Sequence, residues 1–183
     1  MASIITATTT SGLTQSADNS GVLQLASGTG NLVTIPSVTG TAMVSGNQPT
    51  FYAYKSGGNQ SVTAGVWTVV TLESEVWDTA SCFASNKFTP NVAGYYQMNG
   101  SITFTSYASN NRAIISFWKN GGEYSRCQDM SMTNLYAMQG SALIYLNGTT
   151  DYVELRTYLG TNGTVLSAGQ SDTYMNGCLV RAA

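Results

Sequence analysis

The chain has 183 residues, of which 43% are apolar and only 9% charged, with a net charge of −2 and no histidine. That length holds one domain of ordinary size plus an additional segment, and its apolar content excludes a disordered chain, which needs low hydrophobicity and high net charge. The seven basic residues are scattered singly and form no stripe that neutralises phosphates, which excludes nucleic acid as a partner; no run approaches the ~20 apolar residues that cross a bilayer, so no membrane partner is expected.

The two parts of the chain differ in chemistry. Residues 1–50 contain one charged residue, Asp18, and are rich in Thr, Ser and Gly. Their first stretch, MASIITATTTSGLTQ, lacks the basic n-region and apolar core of a secretory signal, so synthesis in a host cytosol is expected. Apolar residues come in short alternating sets, Leu23 and Leu25, then Leu32, Val33 and Ile35, punctuated by Gly, Asn and Ser. The pattern predicts an extended β arm made of short strands. Alone it cannot bury its leucines, and each one left in water forgoes roughly 1.5–3 kcal/mol. Leu13, Leu23, Leu25, Leu32 and Ile35 are therefore the candidate anchors to a partner surface.

From Phe51 to the end, 51–183, strand signals follow closely and predict a compact head. Trp67–Leu72 is rich in β-branched residues. Tyr95–Phe104 alternates cleanly, with Tyr96, Met98, Ile102 and Phe104 on the face predicted to be buried and Gln97, Asn99, Ser101 and Thr103 on the other. Arg112–Lys119 repeats the pattern with Ala113, Ile115 and Phe117 inward, and Asn120-Gly-Gly follows as a hairpin turn. Ser141–Leu146 and Tyr152–Tyr158 flank a second Asn-Gly turn, and Tyr174–Arg181 supplies a last strand near the C-terminus. No stretch carries the i, i+3, i+4, i+7 spacing of an amphipathic helix. Short strands at this spacing predict a β-sandwich or jelly roll. Phe88, Tyr96, Ile102, Phe104, Phe117, Tyr145, Val153, Leu155, Tyr174 and Leu179 are the expected core and subunit-packing residues.

Catalytic chemistry is sparse. With no histidine, Ser-His-Asp and Cys-His arrangements and His-containing zinc sites are excluded. Cys82, Cys127 and Cys178 are odd in number with no C-x-x-C pair, unlike a secreted disulfide framework. Glu73, Glu75 and Asp78, and separately Asp151 and Glu154, are the carboxylates that a glycosidase would need in pairs, or that would suit calcium, which requires only oxygen ligands; solvated loops and strand edges are the expected reading, with no cofactor. The N-x-S/T sequences at Asn59, Asn99, Asn147 and Asn162 match by composition, and three of them are Asn-Gly pairs, which hairpins favour for backbone reasons. Tyr107, Trp118, Tyr124 and Tyr136 are candidate surface rings for a sugar or a partner, with Tyr158 a further candidate.

The segment Lys87-Phe-Thr-Pro-Asn-Val-Ala-Gly-Tyr-Tyr-Gln-Met-Asn-Gly-Ser-Ile-Thr-Phe104 resembles the F-T-P-x-x-x-G-x-Y core of C1q-like (C1q/TNF-type) jelly rolls. Trp77-Asp78, Lys119-Asn-Gly, Leu143-Ile-Tyr-Leu-Asn-Gly148, Asp151-Tyr-Val-Glu-Leu155 and Thr173-Tyr-Met-Asn-Gly-Cys-Leu-Val180 follow that family's order. The resemblance implies an all-β, ten-stranded jelly-roll sandwich that assembles as a homotrimer. Ala17-Asp-Asn-Ser-Gly-Val-Leu-Gln-Leu25 resembles segments near the start of bacteriophage virion fibre and capsid-decorating proteins. Together the two resemblances imply a non-enzymatic virion protein. It would decorate or cement a capsid, with the major capsid protein as partner; alternatively it would be a short tail fibre, bound to tail proteins, whose knob attaches to host surface glycans.

Overall fold

The computed structural model describes residues 23–26, 32–35, 48–106, 110–132, 137–165 and 169–183, the first two segments by their backbone pairing. The chain divides into two units, Met1–Ala42 and Met43–Ala183. In the first, β1 (Leu23–Ala26) and β2 (Leu32–Ile35) form an antiparallel pair whose register sets Leu23 opposite Ile35, Leu25 opposite Val33 and Ala26 opposite Leu32. Four of the five expected anchors thus fall on a hairpin within one chain; Leu13 lies outside the described residues.

The second unit runs β3 (Thr50–Tyr54), β4 (Gln60–Val62), β5 (Thr68–Val69), β6 (Ser74–Asp78), β7 (Phe83–Ala84), β8 (Lys87–Phe88), β9 (Gly94–Ser106), β10 (Asn111–Lys119), β11 (Gly122–Met132), β12 (Ala137–Leu146), β13 (Val153–Leu159), β14 (Gly163–Val165) and β15 (Tyr174–Ala182). Every element among the described residues is a strand. One sheet has the order β12-β9-β15-β3-β6, with β14 and β4 continuing from the far end of β9; the other has the order β11-β10-β13-β8-β7, with β5 beside β13. Ten strands in two five-stranded ladders are the expected jelly roll, and β4, β5 and β14 are short additions to it.

Alternation sets the core. Tyr96, Met98, Ile102 and Phe104 of β9 meet Met138, Ile144 and Leu146 of β12 and Met175 and Leu179 of β15 on one side; Phe88, Phe117, Val153 and Leu155 face them from the other, all buried. Phe51 stacks between Phe88 and Phe83, with ring centroids 4.3 and 5.3 Å away. The Tyr96 hydroxyl donates to the Val92 carbonyl at 2.7 Å, and burial pushes the phenol's pKa well up. Tyr145 and Tyr174 are not core residues. Both occupy the alternate positions of their strands, and Tyr145 keeps 39% of its surface.

The turns follow from backbone preference. Asn120 and Gly121 join β10 to β11 with φ of 52° and 79°, the left-handed pair that a two-residue hairpin requires. Asn147 ties the next turn: its Oδ1 accepts from the amides of Thr149, Thr150 and Asp151. Gly148 there has φ of 73°, and a Cβ would sit 2.3 Å from the Ala93 nitrogen, so the turn admits no side chain.

Two expectations need correction. Only Thr68–Val69 of the Trp67–Leu72 segment forms a strand. The Gln60 side chain, through a 2.7 Å bond to the Val69 carbonyl and a 3.0 Å bond from the Thr71 amide, takes over backbone pairing beyond it. In β10, Ile114 and Ser116 are as buried as Ala113, Ile115 and Phe117. The reason is Trp67, which lies across the outer side of this sheet against Trp118 and Tyr158, at centroid distances of 5.2 and 5.6 Å.

Candidate interaction surfaces

The two sheets present outer faces of opposite character. On the β12-β9-β15-β3-β6 sheet the register draws straight rows across the strands. One reads Trp77, Tyr52, Asn176, Asn99, Ser141; the next reads Ser74, Tyr54, Tyr174, Ser101, Gln139; a third reads Thr50, Cys178, Gln97, Leu143. Not one of these residues is charged; the row beyond them, Arg181, Tyr95, Tyr145, brings one charge, Arg181, to the end of the face. Tyr52 packs on Trp77 and on Tyr174 with centroids 5.2 and 5.1 Å away, and Tyr95 packs on Tyr145 at 5.4 Å. Asn99 Nδ2 donates to Asn176 Oδ1 at 3.1 Å, holding two amides side by side in the middle. A depression of about 360 Å³ lined by Asn99, Gln139, Ser141 and Tyr174 lies beside them. Trp77, Tyr95, Tyr145 and Leu143 remain 39–54% exposed.

The outer face of the other sheet carries seven charged side chains, and pairs them. Arg112 grips Asp129 through Nε and Nη2 at 2.8 and 2.6 Å, and Arg126 bridges Asp129 and Glu123. Arg156 donates to Glu154 at 2.7 Å while its guanidinium lies 4.2 Å over the Trp118 ring, and Lys87 lies 4.3 Å over Tyr152. Cation–π stacking and ion pairing thus hold the long side chains flat across the sheet.

Of the carboxylates named from the sequence, Glu73, Asp78, Asp151 and Glu154 have partners, and Glu75 is exposed on β6. Glu73 pairs with the buried Lys55 at 3.0 Å; burial works to raise its pKa, but the Lys55 bond and the amides of Gly57 and Ser56 outweigh that and lower it. Asp78 accepts from the amides of Ala80 and Phe83, which shapes the loop entering β7. Asp151 is held below the usual carboxylate range by Lys119 and then Asn120, and Glu154 faces Arg156 and Lys87. No two of them face each other across a cleft, and no group of three or more acidic or cysteine side chains that could hold a metal occurs among the described residues.

These pairs set an expected acid response. Arg112 first, with Arg126, brings the Asp129 pKa down to about 2; Arg126 lowers Glu123. A carboxylate whose folded pKa lies below its unfolded value of about 4 stabilises the fold above that pH and loses the contribution as pH falls through the folded value. With no histidine in the chain, no side chain of ordinary pKa changes charge between about pH 5 and 8. The melting temperature of the knob should be flat across that span and fall below about pH 4. A thermal-melt series over pH checks this, and a drop between pH 7 and 5 contradicts it.

The structure sorts the expected recognition rings. Trp118 is no open platform: Arg156 covers it, Trp67 abuts it, and its Nε1 is buried without a partner. Tyr124 is half exposed. Tyr158 packs against Trp67, with Arg112 5.8 Å from its ring. Tyr107 and Tyr136 lie outside the described residues. The residues that build the uncharged face, Tyr52, Trp77, Asn176 and Leu143 above all, were not singled out in the sequence. Their signal was there in part, in the alternate positions Gln97, Asn99, Ser101 and Thr103, which are polar without being charged.

No protein-family model and no curated relative matches the sequence. Solved structures match by fold. Murine APRIL superposes with a TM-score of 0.54 and 13% identity, over 73% of this chain and 99% of that one. The Eiger TNF of S. frugiperda superposes with a TM-score of 0.52 and 12% identity, over 74% and 93%. The head therefore has a TNF-like jelly-roll fold.

Proposed function

We propose that the chain is a non-enzymatic virion structural protein, a homotrimer joined through the uncharged sheet face, whose N-terminal residues attach it to a capsid that it decorates and cements. The observation that carries the trimer is the partition of charge. One sheet face is laced with paired Arg, Lys, Asp and Glu, as a solvated surface is, while the rows from Trp77 to Ser141 and from Thr50 to Leu143 hold none. An uncharged, partly apolar patch of that extent marks an interface. A threefold assembly needs a heterologous contact, in which one patch meets a different one on the next copy. The face has two unlike halves to offer: Trp77, Tyr52, Tyr54 and Tyr174 toward β6, and Gln97, Gln139, Ser141 and Leu143 toward β12.

The hairpin of β1 and β2 supports attachment. Three copies per trimer turn a modest contact by Leu23, Leu25, Leu32 and Ile35 into a strong one through multivalency. The partners that Glu73, Asp78, Asp151 and Glu154 already have, together with the absence of histidine, support a role without catalysis. Half-exposed Tyr124 supports the alternative, a tail fibre whose knob meets a host glycan.

The substitutions Leu23→Asp and Leu25→Asp together are expected to leave a trimeric knob that no longer loads onto particles; full loading, measured by copies per particle, rejects the arm as anchor. Copy number also separates the two placements. Near parity with the major capsid protein means decoration, and a few copies per particle means a tail fibre.

A further inference from the structure

The chain contains five Asn-Gly pairs, at Asn99, Asn120, Asn147, Asn162 and Asn176. Asn-Gly is the dipeptide most prone to spontaneous cyclisation, because glycine leaves its backbone nitrogen open to attack the neighbouring side-chain amide. Whether a given pair reacts depends on how firmly the asparagine is held.

Four of the five are restrained. Asn99 and Asn176 lie within β9 and β15 and bond to each other at 3.1 Å. Extended pairing on both sides of Asn99 keeps the following nitrogen away from its side-chain carbon. Asn120 donates from Nδ2 to Asp151 at 2.8 Å and accepts at Oδ1 from the Tyr152 amide at 3.0 Å. Asn147 accepts at Oδ1 from three backbone amides and the Thr149 hydroxyl, and donates from Nδ2 to Thr150 at 2.9 Å.

Asn162 is different. It is exposed and precedes β14, whose first residue Gly163 is buried and paired on one side with Val62, and both border a solvent-open depression of about 400 Å³ that Ser61, Thr63 and Thr164 also line. Among the described residues its one side-chain bond comes from the Ala64 amide to Oδ1 at 2.8 Å. That bond leaves Nδ2 free to depart. It also stays satisfied, and strengthens, when the carbonyl oxygen becomes anionic, which is how an amide donor lowers the barrier to a tetrahedral intermediate.

We infer that Asn162 is a site of spontaneous deamidation built into the fold. Hydroxide takes the Gly163 amide proton, and the Gly163 nitrogen forms a bond to Asn162 Cγ. The Cγ–Nδ2 bond breaks and ammonia leaves, giving a cyclic imide. Water then adds across either C–N bond of the imide, yielding an aspartyl or isoaspartyl residue with no other reactant. The isoaspartyl product carries one extra main-chain carbon where β14 begins to pair with β4, at Gly163 opposite Val62. It thereby loosens the Ala64 contact that anchors the loop leading to Trp67.

The test incubates the purified full chain in warm, mildly alkaline buffer and maps its peptides by mass spectrometry over weeks. The Asn162 peptide is expected to gain the mass of one deamidation about tenfold faster than the Asn120 and Asn147 peptides, as one additional side-chain hydrogen bond at Asn120 and several at Asn147 would impose. Earlier or equal conversion at any of the other four pairs overturns the assignment. Asn162→Gln should remove the fast phase of ammonia release, and its persistence overturns it too. Hydrogen exchange on the aged wild-type chain should be faster at Ala64 and Gly65 than in fresh protein; unchanged exchange there overturns the loosening.

Discussion

Deleting Gly177–Ala183 is expected to abolish soluble expression of the knob. The C-terminal strand β15 lies between β3 and β9, pairing Tyr174–Cys178 with β3 and Tyr174–Ala182 with β9. The deletion removes two of the five pairs with β3 and five of the eight with β9, and leaves β3, with β6 beyond it, joined to the rest of the sheet by the three-residue remnant Tyr174–Asn176. It also removes Leu179 from the core and the bond from the Ala183 amide to the Ala93 carbonyl. Emptying the site of one core leucine costs about 2–5 kcal/mol, and each lost backbone bond adds roughly 0.5–1.5 kcal/mol. Their sum reaches the ~5–15 kcal/mol that holds an ordinary domain together. A milder substitution grades the claim: Leu179→Ala should stay soluble and melt lower by several degrees. A soluble deletion mutant that melts cooperatively would show that β15 is dispensable.

The sequence was most legible where a single period decides the side of a sheet. On Tyr95–Phe104 every residue predicted inward is buried, though Ser101, which the alternation sets outward, is buried as well. The jelly-roll order was reached through spaced motifs rather than through period alone. Where two layers cover one strand, alternation fails. Ile114 and Ser116 of β10 looked solvent-facing because their neighbours Ala113, Ile115 and Phe117 fill the core, and only the loop bearing Trp67, some fifty residues earlier in the chain, shows that their side is covered as well. The hairpin strand β11 gave a weak signal, since Gly122–Met132 mixes charged and polar residues that serve the Arg112–Asp129–Arg126–Glu123 network. The uncharged face was legible strand by strand but not as a surface. Tyr52, Asn176, Asn99 and Ser141 are spread over four strands and become one row only through register.

That row is also where one added charge should have the largest effect on assembly. Asn99→Arg combined with Leu143→Arg is expected to convert the trimer to a folded monomer. Asn99 sits mid-face on β9, and Leu143, 54% exposed, sits on the outermost strand of the same sheet. Neither side chain belongs to the core, so the single-chain fold should keep its melt and its β spectrum. In the proposed trimer, each interface would have to bury two guanidinium groups with no carboxylate in the rows that hold Asn99 and Leu143 to meet them. An unpaired buried charge costs about 3–5 kcal/mol, and threefold symmetry repeats the cost at every interface. At about 1.4 kcal/mol per tenfold, even one such charge weakens an interface by more than a hundredfold. Tyr124→Arg, at a half-exposed residue of β11 in the other sheet, should leave the trimer intact and serves as the control. Sedimentation velocity on the three proteins decides the matter. If the double mutant sediments as a trimer with undiminished affinity, the uncharged face is not the contact between copies, and the charged face becomes the surface to examine for it.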